Sequence, residues 1–231
     1  MMRWRTLLAL ALVTGVVSID AVAQDNRPGV AVMPFSNGGS YGQDAEVFDA
    51  LEVGLQQMLL TELSQNSNLR VVERGRLNDL LAEQDLAAQG RVDPNTAARI
   101  GRLVGARYVV LGGFIDFYGD FRIDSRVVNV ETSEIVKTER VRDKREQLYD
   151  LVVDLSGRIT TGLNLPALPA AAREARESRE IPTEALELYS RALFYQDRGV
   201  NDRAVELFRR VESEFPQLTE ASEALRQLGA S

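Results

Sequence analysis

Three aspartates, Asp116, Asp120 and Asp124, recur every fourth residue in the middle of the chain. Converging carboxylates can exchange a proton with a substrate or, with further oxygen ligands, hold Ca²⁺. No accompanying ligand set lies near them in sequence, so they are expected to be solvated acids of a hairpin. The remaining catalytic inventory is short. The 231 residues include no histidine and no cysteine, which removes Ser–His–Asp and Cys–His arrangements, most zinc sites and all disulfides. No G-x-x-x-x-G-K-[ST] phosphate loop occurs; Gly38-Gly39 with Gly42 makes a permissive loop without a phosphate-binding fingerprint. No catalytic, cofactor-binding or metal-binding residue is nominated, no cofactor is implied, and no enzyme activity is expected.

The cations gather in one run, Arg140, Arg142, Lys144 and Arg145. Charge on an exposed strand guards against unwanted pairing, and the same run could meet anionic lipid headgroups or glycans. The formal charge of the whole chain is −7, so nucleic acid is not an expected partner.

The elements that must position these groups follow a recognisable order. Residues 1–23 read as a signal peptide: Arg3 and Arg5 precede an apolar run from Leu7 to Val17, and Ala21-Val22-Ala23 offers the small residues that cleavage requires. Cleavage is expected after Ala23. The run falls short of the roughly 20 residues of a membrane-spanning helix, so no integral span is expected in the mature chain. A lipid anchor on cysteine is unavailable. Residues 30–35 read as a buried strand, 44–63 as a long amphipathic helix and 69–72 as a brief strand. A helix over 73–86 is broken at Gly90, and Asp93-Pro94 opens another that Gly105 closes. Strands over 107–117, 121–130 and 135–141 are joined by tight turns, and a helix over 144–163 follows. This order predicts an α/β layered domain with a mixed sheet over 24–165. Residues 166–182 are an Ala/Arg/Glu-rich linker of partly helical character.

Several segments resemble one family. Glu73-Arg74 with Leu77, Leu80-Leu81 and Glu83 resembles the ERxxLxxLLxE segment of CsgG-like proteins, named for the curli secretion channel of the outer membrane. Tyr108 to Ile115, with Gly112-Gly113, resembles that family's VxGxI strand. Arg126-Val127-Val128-Asn129-Val130-Glu131-Thr132-Ser133-Glu134-Ile135 resembles its RVVNVxTGEI hairpin, with Ser133 where glycine is usual. The family-motif residues are therefore Glu73, Arg74, Leu77, Leu81, Gly113, Arg126 and Asn129, each expected to serve architecture. In the channel this region extends two hairpins into a transmembrane barrel, whose strands need about 9–11 residues each. Here three residues separate Phe117 from Phe121, which leaves no room for them.

Residues 183–231 resemble a tetratricopeptide-type helical hairpin with a capping helix. Leu188, Ala192, Tyr195, Gly199, Ala204, Phe208, Val211 and Pro216 fall at the spacing of one repeat. A single repeat cannot bury its own face, so the hairpin is expected to dock on the α/β domain, pair with another copy or bind a partner, and Leu188, Tyr195 and Phe208 are its candidate partner-binding positions. The resemblances together imply a periplasmic adaptor or assembly protein associated with the outer membrane. Its expected partners are envelope proteins, and homo-oligomer formation fits the family. Activation of a peptidoglycan synthase and a place in an oligomeric outer-membrane secretion component are the alternative readings.

Overall fold

The protein is seen in a computed structural model that describes residues 25–83 and 92–229. The expected signal peptide lies outside the described residues, as do Leu86 and Gly90. A mixed sheet forms the centre, in the order β3-β1-β4-β5-β6. Strands β1 (Gly29–Val32) and β3 (Arg70–Val71) run parallel, as do β1 and β4 (Tyr108–Phe117). Strands β4, β5 (Asp120–Asn129) and β6 (Ile135–Lys144) form an antiparallel meander. Parallel neighbours need crossovers. Helix α1 (Ala45–Ser64) joins β1 to β3, and α2 (Arg74–Glu83) with α3 (Pro94–Val104) lies between β3 and β4.

Side chains alternate across each strand, and the sheet thereby feeds two cores. Val30, Val32, Val110, Phe114, Phe121, Ile123 and Val141 pack on one face with α1 and with α4 (Leu148–Gly162), through Leu51, Leu55, Leu59, Val152, Leu155 and Ile159. Ala31, Met33, Val109, Leu111 and Val128 pack on the other face with Leu77 and Leu81 of α2 and Ile100 and Val104 of α3. Each Val, Leu, Ile, Phe or Met among them contributes about 1.5–3 kcal/mol on full burial. The fold is the α/β layered domain with a mixed sheet that the element order predicts.

Local signals account for most boundaries. Asp93 caps α3 by accepting from the backbone N–H groups of Asn95 and Thr96, and Gly105 closes that helix in the left-handed conformation. Tyr118 and Gly119 both have positive φ (54° and 90°), the type I′ geometry that suits a two-residue hairpin. Gly112 is a site of close approach: a Cβ there would lie 2.1 Å from the ring of Phe35. The register shift in the meander lies at Val127/Val128.

Two features depart from the periodicity. Strand β2 (Ser36–Asn37) pairs parallel with Gly113 and Phe114, although serine and asparagine read as loop. Strand β6 runs on to Lys144, which is paired with Asp120, and a 3₁₀ turn over Arg145–Gln147 precedes α4. The antiparallel partner, which periodicity does not contain, extends the strand past Val141.

The β5–β6 loop has one position whose backbone favours glycine. Ser133 has φ 61°, a region that costs a non-glycine residue about 1–2 kcal/mol. Ser133→Gly is expected to raise unfolding stability by about 1 kcal/mol, read as a higher urea midpoint at unchanged m-value. An equal or lower midpoint would show that the loop is not strained there.

The C-terminal helices α6 (Thr183–Asp197), α7 (Asn201–Glu214) and α8 (Glu220–Gln227) pack in succession, with α6 lying along α1. The ring of Tyr189 meets that of Phe208 at 5.7 Å. Their apolar residues share one core cluster with α1, α4 and the sheet. The tail thus folds onto its own chain. Helix α5 (Ala170–Glu177), within the expected linker, lies against α4.

Candidate functional site

The tail docks where α1 has room for it. A Cβ at Gly54 would lie 1.8 Å from Ser190 Oγ, so α1 and α6 touch backbone to side chain at that point. Charged groups fasten the C-terminal half of α6, and a neutral hydrogen bond fastens its start. Arg191 donates to Glu46 at 2.9 Å, and Tyr195 Oη donates to the same carboxylate at 3.1 Å. Arg74 donates to both oxygens of Asp197 at 2.5 Å, with Asn78 adding a 3.3 Å bond. Thr183 Oγ1 donates to the Arg145 carbonyl at 2.8 Å.

Two hollows open beside α1. One, about 760 Å³, lies between Gln57, Thr61 and Ser64 of α1, the Glu73-Arg74-Gly75 entry to α2, and Glu220 and Glu223 of α8. The other, about 950 Å³, lies between α4, α5 and β6, with Lys137, Glu139, Asp154 and Arg158 on its rim. At its inner wall Glu62, 4 % exposed, is ion-paired with Arg176 of α5 and accepts from Tyr149 Oη at 3.2 Å. Burial, with the Glu62 carboxylate beside it, pushes Tyr149 up to about 12.

The sequence-nominated residues fall into distinct places. Leu77 and Leu81 are core residues of α2. Gly113 lies beside β2, and Arg126 is exposed on β5. Asn129 Oδ1 accepts from the N–H of Glu131 at 2.9 Å and shapes the β5–β6 loop. Glu73 is exposed at the mouth of the first hollow, and Arg74 holds α6. Leu188 and Phe208 are buried within the chain and Tyr195 is half-buried. Their neighbours here belong to the chain's own core. The motif residues are spread over α2 and the meander and do not converge.

The three aspartates lie on strands β4 and β5, and only Asp116 is shut off from solvent. Asp116 is fully buried and paired with Arg145 at 2.8 Å; burial raises its pKa despite that partner. Asp120 and Asp124 lie on the opposite sheet face, paired with Arg142 and Arg140. No group of three potential metal ligands occurs among the described residues. Sequence reasoning missed Glu46, Glu62, Asp197 and Arg176. Glu62 had a signal, since it continues the apolar series Leu51, Leu55, Leu59 on α1. The other three occupy ordinary polar positions and gave none.

The Glu46 contact makes a pH-dependent prediction. Its hydrogen bond from Arg191 holds the carboxyl below its usual value. A depressed folded pKa contributes stability above the unfolded value, near 4.5, which is lost as pH falls through the folded value. Glu46→Gln is expected to cost about 0.5 kcal/mol at neutral pH, and the difference from wild type should close on acidification. Urea titrations across pH check this; a constant difference would mean that the carboxylate charge contributes nothing.

Residues 16–122 match the family described as curli production assembly/transport component CsgG. The Arg126–Ile135 hairpin lies beyond the matched residues. No curated protein matches. Among solved structures, the chain is similar to the LpoB C-terminal domain from Escherichia coli at 19 % identity and a TM-score of 0.40, over 51 % of this chain and 83 % of that one. It is similar to the PelC dodecamer from Paraburkholderia phytofirmans at 13 % identity and a TM-score of 0.36, over 62 % and 90 %. For lipoprotein GNA1162 from Neisseria meningitidis the values are 15 % and 0.39, over 58 % and 98 %. No helix of the described residues is long and apolar enough to cross a membrane. The family match takes in β1 to β4 and the start of β5, and over residues 16–122 the chain is similar to CsgG-family proteins.

Proposed function

We propose that this chain is a non-enzymatic adaptor or assembly protein of the cell envelope, exported to the periplasm and active by binding protein partners. The observation that carries this reading is the match of residues 16–122 to the CsgG family. The meander fits a member without membrane hairpins, since two residues join β4 to β5 and five join β5 to β6. In this reading the partner enters the hollow between Glu73-Arg74 and α8. Leu188, Tyr195 and Phe208 then act from beneath, by fixing the tail that forms one wall. The tail takes the part of a tetratricopeptide-type unit whose inner face is satisfied by α1.

A photo-crosslinking residue at Glu223, on the rim, should capture an envelope protein in intact cells. The same residue at Asp202, exposed at the start of α7, should capture none. Absence of any adduct from Glu223, with a strictly monomeric protein in light scattering, would remove this reading.

A further inference from the structure

The meander has one face that the helices leave open. Residues directly opposite in antiparallel strands share a face, and the register gives the rows Phe117–Asp120–Lys144, Ile115–Arg122–Arg142 and Gly113–Asp124–Arg140, with Arg126 beyond them. Helices α2 and α3 cover the Val109/Val128 end. At the other end Arg140, Arg142 and Lys144 are exposed. Five cations, Arg122, Arg126, Arg140, Arg142 and Lys144, stand there against two carboxylates, Asp120 and Asp124. The local sign is therefore opposite to the net charge of −7.

The same end carries the largest exposed aromatic cluster among the described residues. Tyr41, Phe117 and Tyr118 are 59 %, 60 % and 72 % exposed. Phe117 meets Tyr118 edge-on at 5.1 Å and Tyr41 at 6.1 Å. The Tyr41 N–H donates to the Asp116 carbonyl, and its own carbonyl accepts from the Tyr118 N–H. This backbone pairing fixes the cluster at the hairpin tip.

We propose that this tip is a membrane-docking surface: the three rings enter the headgroup boundary of an anionic bilayer while Lys144, Arg122 and Arg142 meet lipid phosphates. Aromatic side chains with a polar end favour that boundary, and nearby cations add attraction to anionic lipid. The rings of the tip stand at 84° and 78° to one another, so they offer no flat platform for a sugar ring. The docking does not depend on the partner proposed above and is tested without it.

The test is co-sedimentation of the mature chain with phosphatidylglycerol-containing vesicles, against phosphatidylcholine vesicles, at low and high salt. Phe117→Thr with Tyr118→Asn removes two rings yet keeps a strand former and creates Asn-Gly, the favoured type I′ pair. Folding of each variant is checked by circular dichroism. The expected result is binding to the anionic vesicles only, weakening with salt. Binding should fall about tenfold for each ring lost and about fivefold for each cation lost in Arg122→Gln with Lys144→Gln. No binding by the wild type, or unchanged binding by both folded variants, would overturn the proposal. Equal binding to soluble dextran sulfate with the same variant dependence would also overturn it, by making the surface a polyanion or glycan site.

Discussion

Replacing Gly54 by leucine is expected to destabilise the protein by about 3 kcal/mol or more, the upper range for forcing extra atoms into a packed interior. The neighbour cannot give way. Ser190 is fully buried, and its hydroxyl donates to the Leu186 carbonyl at 2.6 Å. A Cβ at Gly54 would also meet Ser190 Cβ at 2.5 Å, so the conflict survives rotation of the hydroxyl. The damage should concentrate on the seam. Urea unfolding gives the magnitude, and limited proteolysis should show early cleavage within 166–182 as α6 leaves α1. Gly54→Ala combined with Ser190→Gly moves the small residue across the interface and should recover most of the loss. Wild-type stability in Gly54→Leu would mean that α6 does not rest on α1.

Arg176→Leu is expected to cost about 3–5 kcal/mol, because it strands the Glu62 carboxylate in the interior. Arg176 is the charged partner of that group, while Tyr149 supplies only a neutral hydrogen bond. Removing the whole network should cost far less than removing one member. The triple change Glu62→Leu, Tyr149→Phe and Arg176→Leu leaves no buried polar atom of the three side chains unpaired. It is expected to lie within about 1 kcal/mol of wild type, as buried ion pairs replaced by apolar groups often do. Chemical denaturation of the single and triple variants measures the coupling. A triple variant as unstable as Arg176→Leu would show that the loss is one of packing.

Both variants act on parts of the molecule that periodicity describes unequally. The apolar stripe of α1 was legible, because Leu51, Leu55 and Leu59 recur at helical spacing on the face that meets the sheet. Gly54 lies on the same helix and gave no sign of its importance, since its role is defined by Ser190, 136 positions further on. The same holds for Arg176. Its stretch reads as a polar linker, and only the docking of α5 on α4 brings it to Glu62. Asp116 and Asp120 looked equivalent in sequence. Strand alternation and the hairpin turn put one beneath the sheet against Arg145 and the other on the open face against Arg142.

The sequence by itself determined the α/β order, the caps at Asp93 and Gly105, the tight hairpin that excludes membrane extensions there, and the resemblance to CsgG-like proteins. These depend on spacing, turn chemistry and local backbone preference, all of which act between residues close in the chain. Tertiary structure alone decided that the tail folds back on α1, that Arg74 ties the ER segment to Asp197, and that Tyr41 joins Phe117 and Tyr118 at an exposed tip beside a cationic face. Those contacts join residues tens to more than a hundred positions apart. The register of the sheet and the packing of one helix on another set them, and neither can be read from a local pattern.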